Sequence, residues 1–431
     1  TQQLAAITLY QAPGDKYLYA NDNLGSIYTN IITTSVKNLV DLIHRTKDDP
    51  ALSNYHNIAR ILKVCVFASL TDSWGDLPYF ESGRGYIDLN FTPVFDTQEA
   101  IYMDFFKELS EAIAALDASK ATYSKGDSYY AGDIQKWKKF GYSLMLRLGM
   151  RIQKVKPALA EQWVKTAVAG GVFTSNEDNQ VFHHSSSGIT NTINAAMRSN
   201  FARFRVAKTL IDKLRNTGDP RLEIFSEPYS GDVLEGLPNG LDATTIADPA
   251  MNPLGLEFNE FAYYNRTIMD DLGAPDIGIT YGEVCLLQSE AVLRGWISGD
   301  ATALYNAGVA ASMKQWGIYS GITVPDDDAI QAYLDANPFD ESYEMIGEQL
   351  YLTLWRSFGE VFSNWRRLGY PVLVPVNYPN NVTGGVIPRR IPYYGYGTTN
   401  IGVLENWENY QAAIQRQGPD NYLTRVWWDT E

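Results

Sequence analysis

The chain is 431 residues long, with 45% hydrophobic and 20% charged residues and a formal net charge of −15. That balance excludes a nucleic-acid partner, whose phosphates need clustered Lys and Arg, and disfavours anionic membrane surfaces, leaving neutral or cationic solutes. Two cysteines, Cys65 and Cys285, are too few for a disulfide framework, and no apolar run reaches the roughly 18–20 residues that a membrane helix needs.

Helical periodicity dominates the first half. Residues 24–45 place Leu24, Ile27, Tyr28, Ile31, Ser35, Leu39 and Leu42 at three- and four-residue spacing, and Asp48-Asp49-Pro50 ends that helix. The next helix carries Ile58, Leu62, Cys65, Ser69 and Leu70 on one face and runs into Trp74-Gly75-Asp76-Leu77-Pro78-Tyr79-Phe80. Gly75 permits a backbone angle that other residues avoid, and Pro78 removes a donor, so the helix stops there. Three aromatics at that exit grip a ligand if they are exposed and anchor a loop if they are buried. Asp96 with Glu99 three residues on has the pattern of a capping box, opening a helix whose apolar face is Ile101, Phe105, Leu109, Ile113 and Leu116. Asp133 caps a helix bearing Trp137, Phe140, Leu144 and Leu148, Pro157 opens one at 158–169, and residues 200–216 give another.

Residues 218–279 change character, with Gly, Pro, Asn and Asp every few positions, which is loop chemistry. Helices return at Tyr281–Trp296 and Ala301–Trp316, joined by Ser298-Gly299-Asp300. A helix–turn–helix of that length is the unit of a tetratricopeptide array, and residues 24–73 read as a longer version. Further helices are expected at 326–336 and 342–368, and the last sixty or so residues read as irregular. The expected fold is therefore all-α. Tetratricopeptide-like helix pairs form one body at about 24–217 and 280–368, and irregular regions lie at 218–279 and 369–431.

Motifs for catalysis are absent. His183-His184 has no further His or Cys nearby and reads as a solvated pair, and Asp326-Asp327-Asp328 lacks the Gly and terminal Glu of a calcium loop. The acidic triplet instead suits a helix N-terminus. Both thiols sit among apolar residues and are expected to be buried. No P-loop, nucleophile elbow or zinc-protease motif occurs. Acidic residues without a spacing rule leave an α/α-barrel glycoside hydrolase or lyase open, and a helical-repeat scaffold as well.

Eight segments in order resemble the SusD/RagB family, in its branch of nutrient-binding outer-membrane lipoproteins. They begin with Leu-Thr-Asp-Ser-Trp-Gly-Asp-Leu-Pro-Tyr (70–79), Phe-Asp-Thr-Gln-Glu-Ala-Ile-Tyr (95–102) and Tyr-Ala-Gly-Asp-Ile-Gln-Lys-Trp-Lys-Lys-Phe (130–140). Ser-Leu-Met-Leu-Arg-Leu-Gly-Met-Arg (143–151), Asp-Pro-Arg-Leu (219–222) and Tyr-Gly-Glu-Val with Ser-Glu-Ala (281–291) follow. The last two are Asn-Trp-Arg-Arg-Leu-Gly-Tyr-Pro (364–371) and Thr-Arg-Val-Trp-Trp-Asp (424–429). The resemblance implies a single SusD-like domain over residues 1–431 and no catalysis, and no cofactor or metal ligand set is read from the residues. It implies a cell-surface protein, lipid-anchored to the outer membrane through a segment outside this chain. Such a protein captures oligosaccharides or peptides and delivers them to a SusC-like TonB-dependent transporter.

Sugars present apolar C–H faces and hydroxyl edges, so a binder needs flat aromatics with a few polar groups, and the chain has 28 Tyr and 10 Trp. Within this reading Trp74, Gly75, Asp76 and Pro78 shape a turn. The candidate ligand-binding residues are Arg84 and Tyr86 after it, Tyr229, Tyr263, Tyr264 and Asn265 in the middle loops, and Tyr393, Tyr394 and Tyr396 near the C-terminus. Trp365-Arg366-Arg367 and Trp427-Trp428-Asp429 read as packing and ion-pairing anchors.

Overall fold

The structure is a computed structural model that describes residues 2–6, 14–18, 27–28, 30–123, 125–199, 204–393 and 406–431. The chain divides into two compact units, a larger one of residues 1–20 with 174–387 and a smaller one of residues 21–173 with 388–431. Helices of eight residues or more are numbered α1 to α13. The all-α, tetratricopeptide-like reading holds. Among the described residues, strands are limited to three short antiparallel pairs, all in the larger unit, and no helix is long and apolar enough to cross a membrane.

In the smaller unit α1 (Lys37–Thr46), α2 (Ser53–Trp74), α3 (Gln98–Ala115), α4 (Ile134–Arg151) and α5 (Pro157–Gly170) pack each against the next. The faces expected for α3 and α4 are buried as read. Two expectations shift. The first helix is a π-helical turn at Ile31–Val36 leading into α1, in a run of Thr and Ser whose hydroxyls compete for backbone groups; Thr34 Oγ1 donates to the Asn30 carbonyl. On α2 the buried stripe is rotated to Ile58, Ile61, Val64, Phe67, Ala68 and Thr71, leaving Ser69 exposed and Cys65 half-buried.

In the larger unit come α6 (Thr192–Ser199), α7 (Lys208–Asn216), α8 (Tyr281–Leu293), α9 (Ala301–Lys314), α10 (Asp327–Ala336), α11 (Tyr343–Thr353) and α12 (Phe358–Leu368). The α8–α9 pair approaches closely at glycines. A β-carbon on Gly282 would lie 3.0 Å from the Gly308 carbonyl oxygen and 3.0 Å from the Ser312 nitrogen. Both helices pack on α11, and α11 packs on α12. The single helix expected over 342–368 is broken between α11 and α12, where Arg356 takes the left-handed conformation (φ 73°). Asp326 caps α10, accepting from the Ala329 nitrogen at 2.9 Å, with Asp327 and Asp328 in its first turn. Cys285 is buried.

The 218–279 region is irregular but not loose. Leu237, Leu241 and Phe261 form a core with Ala5 and Ala207. Asp219 and Arg221 are buried outright. Arg221 bonds both oxygens of Asp219 (2.9 and 2.6 Å), Ser312 on α9 (2.8 Å) and Gln349 on α11 (2.7 Å), which fastens this segment to the helix pairs. The C-terminal stretch, expected to be irregular throughout, contains α13 (Trp407–Gln417) in the smaller unit. It ends in Trp428, whose indole donates to Asp72 Oδ1 at 2.7 Å, and Asp429, which accepts from Arg389 Nε at 2.8 Å. Arg367 on α12 bonds Glu290 on α8 at 2.7 Å through both carboxylate oxygens. Both of these aromatic–charged motifs are therefore anchors.

Candidate functional site

The turn after α2 organises a pocket in the smaller unit. Gly75 adopts φ 87°, closed to residues with a β-carbon except at a cost, and Thr71 Oγ1 donates to its carbonyl at 2.7 Å. Trp74, Leu77 and Tyr79 are buried, with Tyr79 edge-on to Phe67 and its hydroxyl donating to Asp104 at 2.7 Å. Asp76 accepts from the Gln98 nitrogen at 2.9 Å and from Arg416 on α13 at 3.0 Å. Asp96 does not cap α3 as its sequence pattern suggests. Its carboxylate takes the Tyr79 and Phe80 nitrogens, each at 3.0 Å, and Thr97 caps the helix instead. The motif is thus a buried corner whose carboxylates and hydroxyls are spent on holding its own shape, with Phe80 alone of its aromatics exposed.

Beside this corner lies a pocket of about 270 Å³. One side is Pro78, Glu81, Ser82 and Gly83. A second is the Asn90–Phe95 loop, and the rest comes from Tyr28, Ile32, Tyr393, Asn406 and Tyr410. Gly83 (φ 73°) lets the turn press on α1, where a β-carbon would come within 3.2 Å of Lys37 Cα. Phe95, Tyr393 and Tyr410 stand mutually edge-on at 5.5 to 6.4 Å, a preferred aromatic geometry that makes a rigid wall. Their hydroxyls are occupied within the protein. Tyr410 donates to Asp420 at 2.8 Å and Tyr393 to the Asp76 carbonyl, and burial pushes the Tyr393 phenol well above its usual range. Asn406 and Asn409 of the α13 N-terminus hold the loop through the Pro93 and Thr92 carbonyls at 2.9 and 3.0 Å. Phe91 is 70% exposed and offers its ring to solvent. Among the described residues no Lys or Arg lines the pocket, and Glu81 is its one carboxylate.

The expected site residues are distributed as follows. Tyr393 lines the pocket. Arg84 pairs with Asp88 across a short helical turn, and Tyr86, half-exposed, donates to Asp41 on α1, so both spend their polar groups next to the pocket and outside its lining. Tyr229, Tyr263, Tyr264 and Asn265 belong to the larger unit. Tyr263 and Tyr264 are buried in a strand paired with Ser226–Glu227, so the expectation that they face a ligand is corrected: their rings are core. Arg205 lies over the Tyr229 ring at 4.1 Å and Arg266 over the Tyr263 ring at 4.9 Å, packing that accounts for this tyrosine cluster. Asn265 caps the turn Arg266–Met269 through the Thr267 nitrogen at 3.0 Å. Tyr394 and Tyr396 lie outside the described residues.

Sequence reasoning missed Tyr28, Glu81, Asn90, Phe91, Phe95 and Tyr410. The available signal was Phe91 and Phe95 flanking Pro93, immediately after the turn motif. His184 is likewise not a solvated partner of His183. Its Nε2 lies 2.9 Å from Asp276 and its side chain is nearly buried. A cavity of about 190 Å³ in the larger unit is lined by Trp316, Tyr319, Trp355 and Arg356, but these rings are almost wholly buried and give little stacking surface.

A family model described as starch-binding and associating with the outer membrane, SusD-like, matches residues 1–394. A solved chitin-binding protein is 35% identical, with a TM-score of 0.89 over 100% of this chain and 93% of that one. A SusD homolog from Bacteroides uniformis is 26% identical (TM-score 0.82; 99% and 92% covered). A chitin-binding SusD homolog from Flavobacterium johnsoniae is 25% identical (TM-score 0.81; 100% and 92% covered). None of the curated proteins matches the chain.

Proposed function

The chain belongs to the SusD-like family, and on that premise we propose that it is a surface glycan-binding protein whose pocket beside Pro78 captures a chitin-type oligosaccharide without cleaving it. The observation that carries this reading is the composition of the pocket: exposed and wall-forming rings with Glu81, Asn90 and Asn406 among them and, among the described residues, no cation. Rings suit the apolar face of a sugar, and the amide and carboxylate groups suit its hydroxyls and N-acetyl groups. Chitin is preferred because the 35% identical relative is described as chitin-binding. Starch, named in the family description, is the natural comparison.

Delivery to a SusC-like TonB-dependent transporter and lipid anchorage at the outer-membrane surface belong to the same proposal, which treats residues 1–431 as one SusD-like module. Its binding need not be tight. A weak site beside a transporter raises local concentration, and a second contact supplies the remaining affinity. The test is calorimetric titration with N-acetylglucosamine and maltose-type oligomers, with mass spectrometry of the recovered ligand. N-acetylglucosamine oligomers are expected to bind saturably and return intact, and Phe91→Ala to weaken them about five- to tenfold. Cleaved products, or undiminished binding in Phe91→Ala, would contradict the reading.

A further inference from the structure

We propose that Glu81 makes this pocket select glycans that carry free amines, so that glucosamine-containing oligomers are preferred over fully acetylated ones. The inference rests on the glycan reading above and adds the charge class of the ligand. One oxygen of the carboxylate, Oε2, accepts from Asn90 Nδ2 at 2.9 Å and from the Val94 nitrogen at 2.8 Å. Both donors are neutral, so they fix the group's orientation without cancelling its charge. Among the described residues none donates to the second oxygen, Oε1. Of the charged neighbours, Arg84 is committed to Asp88 and Asp96 to the Tyr79 and Phe80 nitrogens, and Lys37, whose Cα lies beside Gly83, is not among the residues that line the pocket.

A protonated sugar amine is complementary to this arrangement. It gives a charge-assisted hydrogen bond to Oε1, roughly twice as strong as a neutral one, and the neighbouring rings of Tyr28 and Phe91 favour a cation further. An acetylated nitrogen offers a neutral donor only. A uronate brings a second negative charge into a pocket whose described lining holds no cation, and is repelled.

The experiment is titration of the protein with glucosamine oligomers, N-acetylglucosamine oligomers and uronate oligomers of equal length. It is run at low ionic strength and at a pH where the amine is protonated, for the wild type and for Glu81→Gln. The wild type is expected to bind the amine oligomer about tenfold more tightly than the acetylated one. Added salt removes that advantage. Glu81→Gln, which keeps the acceptor for Asn90 and Val94, equalises the two by weakening only the amine ligand, and it lets the uronate bind. Equal affinities in the wild type, or a preference that survives in Glu81→Gln, would overturn the selectivity while leaving the glycan reading in place. Binding of none of the three would overturn both.

Discussion

The polar groups of the larger unit show how local bonding sets acid stability. Burial opposes the charge of Asp242, but hydrogen bonds from the Tyr378 hydroxyl and from Thr245 and Thr244 outweigh it and hold its pKa down to about 2. The same bond pushes the Tyr378 phenol up to about 12. Because the folded pKa lies below the ordinary value of 3.8, this contribution is fully present above about pH 4 and is lost as pH falls through about 2. Asp242→Asn is therefore expected to be less stable than the wild type at neutral pH, with the difference shrinking toward pH 2. Urea midpoints measured across that range check it, and a gap that is constant with pH would refute the assignment. Residue identity alone did not reveal this bond. Tyr378 and Asp242 are 136 positions apart, and only the folded chain pairs them.

At the scale of elements, the helix pairs were legible wherever one face is simply apolar, as on α3 and α4. They were misread where polar residues are buried. The α2 stripe was placed one position off because Asn54, Asn57, Thr71 and Asp72 are interior, held by bonds that hydrophobic periodicity does not record. Asn54, for example, bridges to the end of α3 through the Asp117 carbonyl at 2.8 Å and the Asp117 nitrogen at 2.9 Å. The capping-box pattern at Asp96 failed for a related reason, since two backbone donors of the neighbouring turn outcompeted the helix for that carboxylate. The small residues of α8 and α9 let the two helices approach closely. Gly282→Ala there places a methyl group against backbone atoms of α9 that cannot move aside singly. The overpacking cost, about 1–3 kcal/mol, exceeds the roughly 1 kcal/mol that alanine gains in helix propensity. Thermal unfolding should show a lower midpoint for Gly282→Ala, whereas Gly359→Ala, with open space around its β-carbon position, serves as the helix control.

For the molecule as a whole, composition narrowed the class of partner more than it narrowed the candidate binding residues. The acidic net charge and aromatic surplus point to uncharged or cationic solutes, and ordered motifs along the chain carried the family. The site was less legible because exposed and buried tyrosines look alike in sequence. Tyr263 and Tyr264 sit in a Tyr-Tyr-Asn run that suits sugar binding, yet the core uses both. The pocket draws instead on Phe91, Phe95 and Tyr410, which are brought together from segments more than 300 positions apart. The most direct test of the account is a crystal structure of the protein with a bound N-acetylglucosamine oligomer. The account predicts sugar rings against Phe91 and Tyr28, with a polar substituent within hydrogen-bond reach of Glu81. An oligomer bound elsewhere, with this pocket holding only solvent, would contradict it.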